Sequence, residues 1–377
     1  MKKIFIVVNI DVFFLSHRKE IALNALKEDF DVTIVAADTG KKNEIINLGL
    51  KFINLPMSRS GKNIFQDLRS FLFLMRLYKS ERPDIVHHVG LKTLLWGGLA
   101  AKITKINGVV NAVSGLGTLF SQDKKTLLSN LVIKVLRFSH KREKLFIIFQ
   151  NNEDKSFFLD KKIVRFEQIQ MTNGSGVDLE KYAYSEEVKN VEIKIILTAR
   201  MIIEKGVFVL INAAEVLKER YKGKIKFLLC GKIDDSPQAI KKEELEYLCD
   251  GEYIQWLDFR TDIPTLLKES HIVVLPSYYR EGIPKSLIEA AAIGRPIITT
   301  DSVGCKEVVI DNYNGYLVPI KDSNAIAEKI EILIQDENKR LEMGQNSRYL
   351  AESKFSIADV INKHIEIYQS LLIIKDS

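Results

Sequence analysis

Short apolar runs alternate with helical patterns along the first half of the chain. The runs are rich in β-branched residues, and between them apolar positions recur at the three- and four-residue spacing of an amphipathic helix. This alternation is typical of a parallel sheet that is covered by helices on both faces. We predict strands at Ile4–Asn9, Asp31–Ala36, Phe52–Leu55, Asp84–His88, Val109–Val113 and Phe146–Gln150, and helices at about Leu15–Lys27, Ile64–Lys79, Thr93–Ala101 and Lys125–Phe138.

The same alternation begins again in the second half, after a cluster of small and turn-forming residues at Met171–Asp178. The predicted strands there are Ile193–Thr198, Ile225–Cys230, Tyr253–Gln255, Ile272–Leu275, Pro296–Thr300 and Gly315–Val318, and the predicted helices are Gly206–Arg220, Lys241–Cys249, Ile263–Lys268, Pro284–Ile293 and Ser323–Gln335. We therefore predict an α/β protein with two tandem doubly wound, Rossmann-like domains, 1–172 and 173–354, that face each other across a cleft. A final amphipathic segment, 355–377, is expected to pack back on the first domain.

Composition and charge narrow the classes of function. Apolar residues make up 46% of the 377 positions and charged residues 28%, which excludes a disordered or fibrous chain. The cysteines Cys230, Cys249 and Cys305 lie far apart, which argues against a disulfide framework or a zinc knuckle and fits a reducing compartment. Residues 1–176 carry 28 Lys and Arg against 16 Asp and Glu, a net charge of +12, whereas 177–377 carry −6. We therefore expect the first half to face an anionic partner, and solvated lysines on an ordinary surface are the alternative.

The densest basic segment, Lys124–Lys144, has Lys or Arg at seven positions, with Leu, Val and Phe between them at helical spacing. Such a helix fits a membrane interface, with its apolar side chains among acyl chains and its basic ones among lipid phosphates. An ordinary amphipathic helix whose apolar stripe faces the core fits the pattern equally well. The sequence has no aromatic and basic array of the kind found in RNA-binding strands, so we do not expect nucleic acid as a partner.

Two cations follow the first predicted strand of the second half. The strand ends at Thr198, Arg200 follows two residues later, and Lys205 precedes a predicted helix. Ligands of open parallel sheets bind at this carboxyl edge. An Arg side chain offers a planar fork to phosphate oxygens and a Lys side chain a mobile point charge. The pair therefore indicates a phosphate site, and two solvated surface cations are the alternative.

A second segment has glycine and proline where another strand passes into a helix. Gly282 allows close backbone approach, and Pro284 suits the first turn of a helix whose backbone N–H groups bind anions. Glu281 and Glu289 are eight residues apart. In a helix this is a rise of ~12 Å, beyond the ~5–9.5 Å of paired glycosidase carboxylates. We expect them to contact different parts of one elongated ligand, and two unrelated glutamates are the alternative.

Seven short motifs occur in order across most of residues 171–350. They are Asn173–Asp178, Ala199–Gly206, Val274–Tyr278, Glu281–Glu289, Gly294–Ile298, Asp301–Glu307 and Asn314–Pro319. In this order they resemble the donor domain of retaining family-4 glycosyltransferases with the GT-B fold. The first half is similar more loosely, through Glu81–His87 and Gly115–Gly117. The resemblance includes the branch that extends lipid-linked sugars for capsule, O-antigen and lipopolysaccharide.

The resemblance implies roles for individual residues. Arg200 and Lys205 would hold the diphosphate of a nucleotide sugar and stabilise the charge of the leaving group. Glu281 would orient the donor sugar, and Glu289 would accept hydrogen bonds from the ribose. Backbone groups at the helix start would hold the same diphosphate, and backbone after two other strands would approach the nucleotide. These further donor-binding candidates are Gly231, Phe259, Gly282, Ile283, Pro284 and Lys285.

The first half departs from the family pattern at two places. Its first loop lacks the paired glycines of many members, and Ser114 stands where many have a histidine that contacts the donor or the reaction centre. We therefore consider Ser114, His17, Arg18 and His88 as candidates for the acceptor site or the reaction centre. For each histidine, a purely structural role is the alternative.

The resemblance implies a retaining hexosyltransferase that moves a sugar from a nucleotide sugar, expected to be a UDP-sugar, to a polyprenyl-diphosphate-linked saccharide. We expect it to be cytoplasmic and peripheral on the inner face of the cell membrane, held there through its basic first domain. No Asp-x-Asp motif follows a hydrophobic strand, so we expect no metal and no other cofactor. The alternatives are the same enzyme with a soluble sugar or sugar-phosphate acceptor, and a catalytically silent nucleotide-sugar binding protein.

Overall fold

A computed structural model describes residues 1–57, 64–117, 127–189, 192–234 and 236–373. The chain forms two compact units. The N-terminal unit contains Met1–Ser175 and the described residues from Ile357 onward, and the C-terminal unit is Gly176–Ser356. The structure thus divides the chain a few residues beyond the boundaries placed from the sequence.

The N-terminal unit is a seven-stranded parallel sheet with helices on both faces. Its strands are β1 (Lys2–Ile10), β2 (Phe30–Ala37), β3 (Lys51–Asn54), β4 (Ile85–Val89), β5 (Gly108–Ala112), β6 (Leu145–Phe149) and β7 (Ile169–Met171). Its helices are α1 (Asp11–His17), α2 (Lys19–Lys27), α3 (Lys42–Asn47), α4 (Ile64–Glu81), α5 (Leu91–Ile103), α6 (Leu127–His140), α7 (Asn152–Asp160) and, near the end of the chain, α14 (Ile357–Ile373). The strand order is β3-β2-β1-β4-β5-β6-β7, and the reversal between β1 and β4 makes the sheet doubly wound.

Alternate residues of β1 pack into separate cores, because successive side chains of a strand point to opposite faces. Ile4 and Ile6 pack with residues of α2 and α14, whereas Phe5 and Val7 pack with residues of α4 and α5. The hydroxyl of Tyr368 in α14 also hydrogen-bonds to a histidine of β4, at 2.7 Å. The last described helix is therefore part of the N-terminal unit.

The C-terminal unit is a six-stranded parallel sheet. Its strands are β8 (Ile193–Thr198), β9 (Ile225–Cys230), β10 (Ile254–Trp256), β11 (Ile272–Leu275), β12 (Ile297–Thr300) and β13 (Gly315–Val318). Its helices are α8 (Val207–Tyr221), α9 (Lys242–Leu248), α10 (Ile263–Lys268), α11 (Lys285–Ile293), α12 (Ser323–Gln335) and α13 (Glu337–Lys354). The order β10-β9-β8-β11-β12-β13 reverses between β8 and β11. The loops that follow β8, β9 and β11 therefore meet at one edge, where open sheets bind ligands.

The predicted two-sheet α/β fold is confirmed, with local differences. The helix predicted at Leu15–Lys27 is two helices, because Arg18 leaves the helical conformation (φ −132°, ψ −5°) and its side chain is buried. Four elements, β7, α3, α7 and α13, are not predicted from the sequence. The start of the basic segment, Lys124 and Lys125, lies outside the described residues. Within the described part of the chain, no helix is long and apolar enough to span a membrane.

Candidate functional site

Lys205 and Glu281 form a largely buried ion pair at the carboxyl edge of the C-terminal sheet. The Lys205 Nζ atom lies 2.7 and 2.6 Å from the two carboxylate oxygens, and the two side chains are only 10% and 15% exposed. Ser277 Oγ donates a further hydrogen bond of 3.0 Å to the same carboxylate. These contacts fix the cation and the acid in place, so they are not the solvated surface groups of the alternative reading.

Gly206 lets the loops that carry this pair pack together. Its φ is +77°, and a Cβ atom there would lie 2.1 Å from the carbonyl oxygen of Pro276. The Tyr278 N–H also donates to the carbonyl of Glu204, at 2.9 Å. The loop after β8 and the loop after β11 are thus joined backbone to backbone, and α8 begins directly after Gly206.

Arg200 is held by Asp234, an acid that is not predicted from the sequence. Its Nη1 atom donates to a carboxylate oxygen of Asp234, which lies on the loop after β9. The two loops are joined, since the Met201 N–H donates to the carbonyl of Lys232 at 3.0 Å. The only sequence signal for Asp234 is an acid that follows a strand. Only the structure shows that this strand, β9, lies beside β8 in the sheet.

The helix α11 begins beside the Lys205–Glu281 pair. Gly282, Ile283 and Pro284 are buried, and the helix starts at Lys285. A Cβ atom on Gly304, whose φ is +90°, would lie 2.1 Å from the Gly282 carbonyl oxygen, so the loop after β12 packs closely on this turn. The positive end of the helix dipole therefore lies next to the ion pair in the chain, as an anion site requires.

Glu289 lies further along the same helix and has a tyrosine partner. Tyr182 donates its hydroxyl hydrogen to Glu289 Oε1 at 2.7 Å, and Lys285 Nζ lies 3.9 Å from the same oxygen. Burial raises the pKa of Glu289, while Lys285 and the Tyr182 hydrogen bond oppose this shift. Burial raises the pKa of Tyr182 as well, which keeps its hydroxyl a donor. Tyr182 was not predicted, because it precedes Glu289 by 107 residues and belongs to no motif.

Gly231 is needed for backbone packing, and the close approach of the nucleotide that the resemblance implies stays a prediction. Its φ is +155°, and a Cβ atom there would lie 1.7 Å from the carbonyl oxygen of Ala199. Its N–H donates to the carbonyl of Asp258 at 2.9 Å, and its carbonyl accepts from Trp256 Nε1 at 3.0 Å. Phe259 follows Asp258 and has an exposed side chain.

His88 is a core residue, and we withdraw it as a reaction-centre candidate. It is fully buried, and its ring nitrogens lie 2.8 Å from Asn111 Oδ1 and 2.9 Å from Tyr78 Oη. Burial lowers its pKa to about 4, so the ring is neutral at pH 7. A Cβ atom on Gly97 would lie 2.3 Å from the His88 ring, which leaves no space for a ligand on that side.

Arg18 is also buried, and it points to the interior. Its Nη1 atom donates to the carbonyl of His17 at 2.8 Å, and burial lowers its pKa to about 10. We therefore withdraw Arg18 as an acceptor-binding residue.

His17 and Ser114 remain accessible. The His17 ring stacks on Phe13, with 4.4 Å between the ring centroids, and lies 2.6 Å from Ser16 Oγ. Ser114 is half-buried just after β5, where its Oγ would lie 3.7 Å from a Cβ atom on Gly90. Both stay candidates for the acceptor side of the reaction.

The arrangement in the C-terminal unit suits a diphosphate leaving group. Two cations held by carboxylates, together with a helix N-terminus, provide preorganised positive charge that can stabilise an oxyanion as it departs. Among the residues described, no group of three or more His, Cys, Asp and Glu side chains is placed to hold a metal ion.

Two family models match the chain, one in each half. The model of glycosyl transferases group 1 matches residues 180–349, and a glycosyl transferase 4-like model matches residues 3–151. The chain is 32% identical over 340 residues to the N,N'-diacetylbacillosaminyl-diphospho-undecaprenol alpha-1,3-N-acetylgalactosaminyltransferase of Campylobacter jejuni, with 86% of this chain and 88% of that protein covered. It is 24% identical to the UDP-Gal:alpha-D-GlcNAc-diphosphoundecaprenol alpha-1,3-galactosyltransferase of Escherichia coli, with 92% and 91% covered.

The fold has a solved counterpart in HepE from Anabaena, whose crystal structure contains UDP. The TM-score is 0.77 over 98% of this chain and 100% of that one, at 18% sequence identity. The predicted GT-B fold is thereby confirmed. The family models and the Campylobacter relative confirm that the chain is a glycosyltransferase, as predicted. The chain belongs to the group 1, family-4-like glycosyltransferases.

Proposed function

We propose that this glycosyltransferase transfers a hexose-type sugar from a UDP-sugar to a saccharide carried on polyprenyl diphosphate. The observation that supports the donor side is the buried Lys205–Glu281 pair beside the start of α11, with Arg200 on the same loop. The acceptor class is supported by the relatives, since the Campylobacter and Escherichia enzymes both act on saccharides linked to diphosphoundecaprenol.

In the proposed reaction the bond between the anomeric carbon and the donor phosphate oxygen breaks, and a bond to the acceptor hydroxyl oxygen forms. Lys205 and Arg200 stabilise the negative charge that develops on the departing diphosphate. Glu281 is held by Lys205 and Ser277, so its carboxylate can position the sugar without moving. The departing phosphate oxygen takes the proton of the acceptor hydroxyl, and the α configuration is retained.

The experiment that tests this proposal is a transfer assay with a panel of nucleotide sugars. Purified protein is incubated with UDP-GalNAc, UDP-Gal, UDP-GlcNAc or UDP-Glc and with a saccharide on polyprenyl diphosphate, and the product is identified by mass spectrometry. We expect one UDP-sugar to give a lipid-linked product longer by one sugar. The same saccharide without its lipid diphosphate is the control, and equal transfer to it would contradict the lipid-linked acceptor. No transfer from any nucleotide sugar would contradict the activity.

We also propose that α6 carries the contact with the membrane. The helix buries Val132, Ile133 and Leu136 in the N-terminal unit, as expected for an amphipathic helix whose apolar stripe faces the core. It has a further apolar group that faces solvent, consisting of Leu127, Leu128, Leu131 and Phe138. Leu127 and Leu131 line a shallow groove with Lys134, Arg137 and Lys161. Exposed leucines beside cations suit a bilayer that contains anionic lipid.

Flotation with liposomes tests this contact. We expect the wild-type protein to float with vesicles of phosphatidylglycerol and phosphatidylcholine at low and moderate salt, and Leu131→Asp to lose most of this binding. Val216→Asp is the matched control, because Val216 is an exposed apolar residue on α8 of the other unit. Equal flotation of both variants would contradict a role for α6.

A further inference from the structure

The Arg200–Asp234 pair is a feature of the proposed donor site that the family resemblance does not assign. We propose that Asp234 is a positioning residue that anchors Arg200 and limits how tightly the site retains the nucleotide diphosphate after transfer. This inference rests on the proposed function, because it takes Arg200 to contact the diphosphate.

The burial of the two side chains shows which partner anchors the other. The Asp234 side chain is 4% exposed, whereas that of Arg200 is 37% exposed. A buried carboxylate that loses a paired cation is left with a large desolvation penalty, so the pair is expected to persist when a ligand binds. Arg200 uses its Nη1 atom for Asp234. A guanidinium has five N–H donors, so the rest of the fork can still reach phosphate oxygens.

Backbone hydrogen bonds join the two loops on both sides of the pair. Besides the contact between Met201 and Lys232, the Ile203 N–H donates to the Gln238 carbonyl at 3.0 Å, and the Ile240 N–H donates to the Met201 carbonyl at 3.1 Å. The loop that carries Asp234 is therefore fastened to the loop that carries Arg200 on both sides of the acid. Asp234 can set the position of the guanidinium because it is itself fixed.

The charges of the site suggest why an acid is useful there. Each of the two cations has its own carboxylate, Asp234 for Arg200 and Glu281 for Lys205. A nucleotide sugar is a diphosphate diester with two negative charges, whereas free UDP approaches three, because the second ionisation of a phosphate has a pKa of about 6. Without the acids, the site would favour the more highly charged product over the donor. Asp234 reduces that preference while it leaves Arg200 in place.

Calorimetry with UDP tests the inference through Asp234→Asn, which keeps an oxygen acceptor for Arg200 but removes the charge. We expect the variant to bind UDP about fivefold more tightly and the donor sugar nucleotide less than twofold more tightly, and product inhibition by UDP to rise in parallel. Uridine, which lacks phosphate, should bind both proteins equally. Glu331→Gln is the matched control, since Glu331 pairs with Arg220 on the surface at 2.6 Å and its removal should leave UDP binding unchanged.

A second pair of variants separates this inference from the proposed donor site. Arg200→Ala leaves Asp234 buried without its cation, so the double variant Arg200→Ala/Asp234→Asn is included to preserve folding. Both should bind UDP at least tenfold more weakly than wild type, and Arg200→Ala the more weakly of the two, because it keeps the negative charge of Asp234 without the cation that pairs with it. A change of less than threefold in Asp234→Asn, or weaker UDP binding, would overturn the inference. Failure of the wild type to bind UDP, or of Arg200→Ala to weaken it, would overturn the donor site itself.

Discussion

The two units use their ionisable residues in opposite ways. In the C-terminal unit Arg200, Lys205 and Glu281 lie on loops at the carboxyl edge of the sheet, and each is held there by an opposite charge. In the N-terminal unit Arg18, which lies between α1 and α2, and His88, near the end of β4, are buried in the core, where Arg18 bonds to a backbone carbonyl and His88 to neutral side chains. The same residue types thus indicate a site only where neighbouring loops provide oppositely charged partners at the edge of the sheet.

Histidine shows the same difference. The chain has six histidines, and five of them are buried. One of these five, His271, is in the C-terminal unit, where it bonds to the backbone. The other four are in the N-terminal unit and are His87, His88, His140 and His364. The core of the N-terminal unit therefore depends on neutral imidazole rings far more than the core of its neighbour.

The largest effect that would test this comparison is a selective loss of stability in acid. Burial lowers the pKa of His88 and His140 to about 4 and that of His364 to about 3. Below pH 6.5 these histidines bind protons in the unfolded chain but not in the folded protein. The free energy of unfolding therefore decreases as the pH is lowered, by about 1.4 kcal/mol for each pH unit and each histidine. At pH 5 this amounts to about 2 kcal/mol for each ring. Hydrogen exchange, corrected for intrinsic rates, should show a loss of several kcal/mol in the N-terminal unit and a smaller loss in the C-terminal unit.

A matched pair of variants sharpens the acid experiment. His364→Leu removes one buried ring and should reduce the acid-induced loss, whereas His17→Leu removes the partly exposed histidine and should leave the loss unchanged. Equal losses of protection in the two units between pH 7 and pH 5 would contradict the assignment.

The next effect concerns catalysis at the edge of the C-terminal sheet. Lys205→Ala removes the cation closest to Glu281 and should lower kcat about 1000-fold, or about 4 kcal/mol of transition-state stabilisation. Lys242→Ala is the control, because Lys242 pairs with Glu246 on the exposed face of α9 and should keep full activity. Circular dichroism establishes that both variants are folded. Activity within tenfold of wild type in Lys205→Ala would remove it from the donor site.

The sequence predicted which residues come together at the edge of the C-terminal sheet better than it predicted the surroundings of the N-terminal candidates, for a physical reason. Lys205 and Glu281 stand in local strand–loop–helix motifs, where the backbone alone fixes their place. Asp234 and Tyr182 act through contacts between distant segments, so no local pattern reveals them. His88 lies in β4, all of whose residues are buried, and alternation along a strand does not tell which polar residue has an internal partner. Most strands and helices, and therefore the fold, could be predicted because the apolar periodicity of each segment depends on that segment alone.

A smaller effect should follow from Gly231→Ala, which forces a Cβ atom against the Ala199 carbonyl. Overpacking of this kind costs about 1–3 kcal/mol of the free energy of unfolding, and the loops that carry Arg200 and Asp234 must separate. Gly223→Ala is the control, since Gly223 also has a positive φ, +81°, but nothing lies within 4 Å of its Cβ position. Chemical denaturation should show a larger loss in Gly231→Ala, with weaker UDP binding. Equal stability of the two variants would contradict the close packing of these loops.

The smallest effect probes the second glutamate. Tyr182→Phe removes the hydrogen bond to Glu289, worth about 1 kcal/mol, and leaves Lys285 as the nearer of its described charged partners. If Glu289 binds the donor ribose equally in the ground state and the transition state, KM for the nucleotide sugar should rise about fivefold with kcat little changed. Tyr253→Phe is the matched control, because Tyr253 is a buried tyrosine of the same unit that donates to the Ala214 carbonyl at 2.9 Å and should leave KM unaltered. A fall in kcat with constant KM would instead place Glu289 among the groups that act in the transition state. Both Glu281 and Glu289 would then be carboxylates that contribute to the reaction at this edge of the sheet.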